Sequence, residues 1–188
     1  MTALVFFLEE PSAAEMLKGL LPRVLPEGIP VEYRPFEGKQ DLEKRLPRLL
    51  RAWRRPNCRF VVIRDQDAGD CQILKRRLVN LCKEGGSPNV LIRIACRELE
   101  SFYLGDFAAV EKGLELKGIA RKQNGRKFRT PDQLRSPSRE LERLTKGRYQ
   151  KILGSRRIGP CLSLEGNRSH SFGVLVSGIR SLLVEEDE

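Results

Sequence analysis

Short runs of apolar residues recur along the first half of the chain, separated by segments with helical periodicity. Residues 3–8, 59–64 and 90–95 are rich in Val, Ile, Leu and Phe, which is typical of buried strands in a parallel sheet. Residues 30–36 alternate between apolar and polar positions, and two prolines limit their hydrogen bonding, so they predict a strand nearer the sheet edge. The order predicts an α/β fold, with a mostly parallel sheet flanked by helices.

Three segments between these strands have the periodicity of amphipathic helices. The first, SAAEMLKGLL, has Ser12 and Glu15 at the spacing of a capping box. The second, DLEKRLPRLLRAW, carries a leucine stripe, and Pro47 is expected to start or kink a helix there. The third, ILKRRLVNLC, repeats the stripe with three leucines. These helices would cover the faces of the sheet.

The composition changes after the predicted sheet. We therefore predict an α/β domain over residues 1–116 and a basic extension of helices and loops over residues 117–188, packed on the same core. Within the extension, Thr130–Gln133 is typical of a helix start, residues 138–146 predict a helix, and residues 171–183 predict a closing helix. The remaining extension is predicted to be loop, and the final EEDE to be disordered.

The positive charge of the chain is concentrated in one segment. The net charge is +10. Residues 117–157 contain 14 Lys and Arg and three acidic residues, a local net charge of +11, which leaves −1 for the rest. Concentrated positive charge attracts nucleic acid, although a solvated basic face or a surface for an acidic protein is the alternative. We assign nucleic-acid contacts to Lys39, Arg121, Lys122, Arg126, Lys127, Arg129 and Arg168.

The residues available as ligands restrict the metal chemistry. Five cysteines form no CxxC pair, and the single histidine, His170, argues against a zinc site. A metal, if bound, would need oxygen ligands, which favours Mg²⁺ or Mn²⁺. No apolar run approaches the roughly 20 residues that span a bilayer, and the N-terminus lacks the features of a signal peptide. We expect a cytoplasmic protein; its oligomeric state stays open, with a dimer as one possibility.

Acidic residues follow three of the predicted strands. The carboxyl ends of parallel strands meet at one edge of the sheet, where ligands bind in such folds. Hard divalent cations require several carboxylate oxygens, so the pattern indicates a metal site, although acids after strands also cap helices. The acidic residues are Glu9 and Glu10 after the first strand, Asp65, Asp67 and Asp70 after the third, and Glu98, Glu100 and Asp106 after the fourth.

The spacing within each acidic group suggests which side chains share a site. Residues two apart in an extended segment point the same way, so Asp65 and Asp67 can aim at one point. Asp70 has the alternative role of a first-turn acid facing the dipole of the next helix. Glu98 and Glu100 would lie about 200° apart on a helix, so only one can face the site.

A polar loop, EGNRSHSF, precedes the predicted closing helix. Its Asn, Arg and Ser side chains are suited to holding a phosphate. The alternative is a polar turn that caps the helix. The sequence leaves both open.

Several blocks of the chain, taken in order, resemble a known family. A strand ending in glutamate, then helix, strand, helix, and a strand ending in DxD is similar to the Toprim domain of topoisomerases, primases and overcoming-lysogenization-defect nucleases. A bacterial family of Toprim-like proteins of unknown function resembles the chain more closely. The blocks that carry this resemblance are FLEEPSAAEML, FEGKQDL, RDQDAGDCQILK, RELESFYLGD and NRSHSF, between residues 7 and 172.

The resemblance implies a role for individual residues. Glu9 matches the Toprim glutamate, Asp65 and Asp67 match the metal-binding DxD, and Glu100 matches a ligand for a second metal. Many Toprim domains have glycine after the glutamate, whereas Glu10 follows here, so which of the two faces the metal stays open. Our candidate catalytic residues are Glu9, Glu10, Asp65, Asp67 and Glu100, and our candidate metal ligands are Glu9, Asp65, Asp67, Asp70 and Glu100.

These observations together predict a nuclease that uses Mg²⁺ or Mn²⁺ to cleave phosphodiester bonds, in DNA. The resemblance implies a role in defence against phage or mobile DNA, beside an ATPase partner. The alternative is a non-catalytic module that binds nucleic acid or an ATPase. Phosphoryl transfer through an aspartyl phosphate fits less well, because Ala68 and Gly69, not Thr or Ser, follow Asp67.

Overall fold

The structure is a computed structural model that describes residues 2–184; the predicted disordered tail, residues 185–188, lies outside the described residues. All strands of its sheet are parallel, in the order β2-β1-β3-β4. This confirms the predicted α/β fold and the edge position of the second strand. The strands are β1 (Ala3–Leu8), β2 (Val31–Pro35), β3 (Cys58–Asp65) and β4 (Leu91–Ala95).

Helices follow the strands on both faces of the sheet. The helices of the first part are α1 (Pro11–Leu20), α2 (Lys39–Ala52), α3 (Cys71–Glu84), α4 (Glu100–Leu104) and α5 (Phe107–Gly113). Three more helices lie in the basic extension, namely α6 (Pro137–Leu144), α7 (Lys151–Ile158) and α8 (His170–Val184).

The sheet separates two hydrophobic cores because successive strand residues point to opposite faces. On one face, Val5, Phe7 and Val62 pack against the buried leucines of α2 and α3. On the other face, strand residues such as Phe6 and Ile63 pack against α1, α4, α5 and α8. Buried residues beyond position 116 belong to this second core, including Leu141, Ile158, Leu162, Phe172 and Leu175.

The start of α1 differs from the predicted capping box. The helix begins at Pro11, a residue type preferred at the first helical position, so Ser12 already lies inside it. The Ser12 hydroxyl donates to Glu10 Oε1 at 2.8 Å. Glu15 instead pairs with Lys18 at 2.5 Å and with Arg156 at 2.5 Å. The capping-box prediction is therefore wrong.

Two further helix predictions hold in part. Pro47 does not start a helix, because α2 begins at Lys39 and runs through it, whereas a kink at Pro47 stays a prediction. Thr130–Gln133 does start a helix with proline at its first position, but it is the short 3₁₀ helix Pro131–Gln133 and not an α-helix. The predicted helix at 138–146 and the closing helix are present as α6 and α8, whereas α7 lies where we predicted loop.

Candidate functional site

The carboxyl ends of β1, β3 and β4 meet at one edge of the sheet, and backbone hydrogen bonds fix the segments that leave them. The Glu9 amide donates to the Ile63 carbonyl at 3.2 Å, and the Gly38 amide donates to the Glu9 carbonyl at 2.9 Å. Beyond β3, the Gln66 amide donates to the Ala95 carbonyl at 2.9 Å. The backbone segments that carry the acidic residues are therefore hydrogen-bonded to one another or to neighbouring strands.

Four acidic side chains gather at this edge, and we call Glu9, Glu10, Asp65 and Glu100 the carboxylate cluster. Glu9 Oε2 accepts a hydrogen bond from the Asp65 amide at 3.0 Å. Burial raises the pKa of Asp65 well above its usual range, and repulsion from Glu100, Glu9 and Glu10 raises it further. The structure thus brings together carboxylates from after β1, the end of β3 and the start of α4.

Glu100 is the most enclosed member of the carboxylate cluster, with no exposed surface. Its Oε1 accepts a hydrogen bond from the Tyr149 hydroxyl at 2.9 Å, whereas its Oε2 has no hydrogen-bond partner among the described residues. Burial raises the pKa of Glu100, and attraction to Lys151 and the Tyr149 hydrogen bond oppose that effect. A buried carboxylate oxygen without a partner is costly and calls for an explanation.

A lysine that the sequence analysis did not identify lies beside the carboxylate cluster. Lys151 is the first residue of α7, and its Nζ lies 2.6 Å from Glu10 Oε2. Its charge attracts Glu100 and Asp65 as well. Glu10 therefore faces α7, on the side of the sheet to which Asp65 and Glu100 also belong.

Arg64 and Glu43, on the opposite face of the sheet, were also missed. Arg64 precedes Asp65 on β3 and points the other way, where its Nη1 lies 2.9 Å from Glu43 Oε1 and its Nε lies 3.7 Å from Glu9 Oε2. Arg77 reaches the same glutamate at 2.6 Å. Burial raises the pKa of Glu9, the Asp65 amide lowers it, and repulsion from Asp67 raises it. Arg64 interrupts the apolar run of β3, and a charged residue in a buried strand indicates that an oppositely charged side chain lies beside it.

Asp67 does not project beside Asp65 as we expected. The strand ends at Asp65, and Asp67 has a left-handed backbone with φ of 55°, so the argument from an extended segment is wrong. Its Oδ2 accepts from Lys39 Nζ at 2.8 Å. Asp67 and Lys39 line a cleft of about 490 Å³ between the starts of α2 and α3, together with Arg64 and Arg77.

The remaining acidic candidates have structural roles. Asp70 is exposed and caps α3, because its Oδ1 accepts from the amides of Gln72 and Ile73 at 2.9 Å. Asp106 caps α5 by accepting from the Ala109 amide at 3.0 Å. Glu98 accepts from the Ser138 amide at 2.6 Å. These contacts favour capping, the alternative that the sequence left open for Asp70.

The polar loop before α8 forms a hydrogen-bond network of its own. Ser169 Oγ donates to Asp132 at 2.6 Å and accepts from the Phe172 amide at 3.2 Å, so it caps α8. Arg168 donates to the Gln123 carbonyl and to Asn124 Oδ1 at 2.8 and 2.6 Å. The loop's polar groups are thus engaged within the protein, which favours the capping turn over a phosphate site.

Except for Arg168, the candidate nucleic-acid contacts of the extension lie in or beside a chain of short 3₁₀ turns. Phe128 anchors this segment by packing edge-on against Phe107, with ring centroids 4.9 Å apart. Lys127 pairs with Glu140 at 2.6 Å. The exposed basic side chains of these turns, which we call the basic surface, are Arg121, Lys122, Arg126, Lys127 and Arg129.

The arrangement at the sheet edge is held by protein contacts. Within residues 2–184, no three or more His, Cys, Asp and Glu side chains form a group arranged to hold a metal ion. Glu10 is bonded to Lys151, Glu9 to the Asp65 amide and Glu100 to Tyr149. A cation that bound here would have to displace at least one of these partners.

Comparisons with known proteins place the chain in a family without assigning it an activity. No helix in the described part of the chain is both long and apolar enough to cross a membrane. No curated protein and no solved structure gave a significant match. The model of DUF4276, a domain of unknown function, matches residues 8–180. Because this match covers most of the chain, the protein belongs to the DUF4276 family.

Proposed function

We propose that the protein is a metal-dependent nuclease that cleaves phosphodiester bonds in DNA at the carboxylate cluster. One observation carries the proposal. Carboxylates from three separate segments lie close enough at the sheet edge for their repulsion to raise the pKa of Asp65, and a buried Glu100 oxygen among them has no hydrogen-bond partner in the described chain. Clusters of acidic groups with raised pKa values are more common at functional sites than elsewhere.

The residues fit Mg²⁺ or Mn²⁺ by their chemistry. The available ligands are carboxylate oxygens, which these ions prefer, and a cation would relieve the repulsion that raises the pKa of Asp65. We assign the ligand role to Asp65, Asp67, Glu100 and either Glu9 or Glu10; Asp67 would have to release Lys39, and Glu10 would have to release Lys151. When bound, the ion supplies activation of water and neutralisation of charge on the scissile phosphate.

The concentration of cationic side chains supports a polyanionic substrate. The basic surface would hold the phosphate backbone electrostatically without reading the base sequence. Lys39 lies at the cleft beside Asp67, where an ammonium group can hold a phosphate oxygen. These groups would position DNA across the sheet edge.

The resemblance to Toprim nucleases supports the same chemistry at the same positions. It extends the proposal to an ATPase partner and to a role in defence against phage or mobile DNA. We therefore include the partner in the test of activity.

The test is cleavage of supercoiled plasmid with Mn²⁺, by the protein alone and with an ATPase encoded beside it. Glu9→Gln and Asp65→Asn should lose nicking and keep DNA binding. Asp70→Asn is the matched control, because asparagine also caps helices well, and it should cleave like the wild type. Cleavage that survives both cluster substitutions would refute the proposal.

A second candidate is a non-catalytic module that binds nucleic acid or an ATPase. It is favoured by the protein partners that Glu10, Glu9 and Glu100 already have. In that case the wild type binds DNA or the ATPase but cleaves no DNA with any metal or partner. The plasmid assay therefore separates the two candidates.

A further inference from the structure

Lys151 places a positive charge beside the carboxylate cluster. Its Nζ bonds Glu10 Oε2 at 2.6 Å, and its charge acts on Glu100 and Asp65. Without it, several acidic groups at the sheet edge would repel one another with less compensation. In the metal-free protein, the ammonium group therefore reduces the repulsion among the carboxylates, as a bound divalent cation would.

Packing between α1 and α7 fixes the position from which Lys151 reaches the cluster. Arg156 Nε lies 2.5 Å from Glu15 Oε2, and Gly159 sits so close to α1 that an added Cβ would lie 2.4 Å from the Met16 carbonyl oxygen. Helix α4 also holds α7, because the Tyr103 hydroxyl donates to Ser155 Oγ at 2.7 Å. The backbone of α7 therefore has little freedom at this interface.

The Lys151 side chain, in contrast, can leave the cluster without moving the helix. It is 49% exposed and ends in a flexible four-carbon stem. Its hydrogen bond goes to Glu10, whereas Glu100 Oε2 has none within the described chain. A divalent cation that contacted several of these oxygens would satisfy more of the cluster than the ammonium group does.

We propose that Lys151 is a resident cation that competes with divalent metal for the carboxylate cluster, so that metal binding requires its release from Glu10. This inference rests on the proposed function, since it assumes that the cluster binds metal. It assigns Lys151 a regulatory role, because the strength of the Lys151–Glu10 pair sets the metal concentration at which the site fills.

The experiment is calorimetric titration of the full chain with Mn²⁺ alone, without DNA. Lys151→Met removes the competing charge and keeps much of the apolar stem, and we expect it to bind Mn²⁺ ~10-fold more tightly than the wild type. Lys18→Met is the matched control, because Lys18 forms a similar pair with Glu15 on α1, outside the cluster. It should bind Mn²⁺ like the wild type.

A second variant keeps the test decisive if Lys151→Met folds poorly, which circular dichroism would reveal. Lys151→Arg retains a charge that pairs well with carboxylates, so it should bind Mn²⁺ no more tightly than the wild type. Equal or weaker binding by Lys151→Met, or tighter binding by Lys151→Arg, overturns the inference and leaves the proposed function standing. Absence of Mn²⁺ binding by every protein, the wild type included, overturns both.

Discussion

Glu100 places an acidic group in the protein core, with one oxygen bonded to Tyr149 and the other without a hydrogen-bond partner in the described residues. Burial disfavours its ionised form and raises its pKa. The folded state therefore binds a proton at Glu100 more tightly than the unfolded state does. Stability that depends on this proton is present at low pH and is lost as the pH rises through the raised pKa.

Glu100→Gln should therefore stabilise the protein near neutral pH. We expect the free energy of unfolding to rise by about 1 kcal/mol, because the amide carries no charge and can still accept from Tyr149. The measurement is urea unfolding at a series of pH values. The gain should shrink as the pH falls below the ordinary carboxyl pKa of 4.5, because glutamate then becomes protonated in both states. A gain that is independent of pH would contradict the assignment.

Asp70 is expected to act through helix α3 and not through a metal. Asp70→Ala removes the acceptor for two backbone amides and should lower the free energy of unfolding by about 1 kcal/mol. Asp70→Ser, which restores a capping oxygen, should recover most of that loss. Thermal unfolding monitored by circular dichroism checks both variants. Failure of serine to recover any stability would argue for a role beyond capping.

At the level of elements, α7 shows why part of the site was not predictable. Its apolar residues Ile152 and Leu153 are 49% and 42% exposed, whereas Gly154 and Ser155 are buried. The apolar residues of α7 are therefore on its exposed side, so hydrophobic periodicity predicts burial of the wrong side of the helix. The Gly-Ser pair also lowers the helix propensity of the segment. The helix depends on contact with α1, which no local pattern reveals, and so Lys151 was missed.

The elements that the sequence did predict have strong local signals. Buried parallel strands such as β1 and β3 are nearly continuous apolar runs, and α3 and α8 carry regular apolar stripes. The position of Asp65 follows from the end of β3. The position of Asp67 does not, because the local backbone turns into the left-handed region after the strand.

The α1–α7 interface can be tested with a pair of glycines. Gly159→Ala should destabilise the protein by about 1–3 kcal/mol, because its Cβ would lie 2.4 Å from a backbone oxygen of Met16. Gly173→Ala, on the exposed face of α8 with nothing within 4 Å, should stabilise the protein by about 1 kcal/mol. Chemical unfolding measures both. Equal effects of the same sign would show that the close approach at Gly159 is unimportant.

For the whole molecule, the uneven charge distribution predicts where DNA binds. Reversing Arg126 and Lys127 to glutamate should weaken DNA binding and reduce the slope of log affinity against log salt by about 2. The control reverses Lys44 and Arg48, which are exposed on α2 and give the same change in net charge. Fluorescence anisotropy across a salt series compares the two. If both pairs weaken binding equally, net charge and not the basic surface is responsible.

The two ion pairs that tie α7 to the first helix region, Lys151–Glu10 and Arg156–Glu15, each join residues 141 positions apart. During translation at about 5–20 residues per second, the segments that carry the acids leave the ribosome seconds before their positive partners exist. Contacts between such distant positions also slow spontaneous folding. Newly made protein therefore carries the acids of the sheet edge without these two partners until α7 has been synthesised.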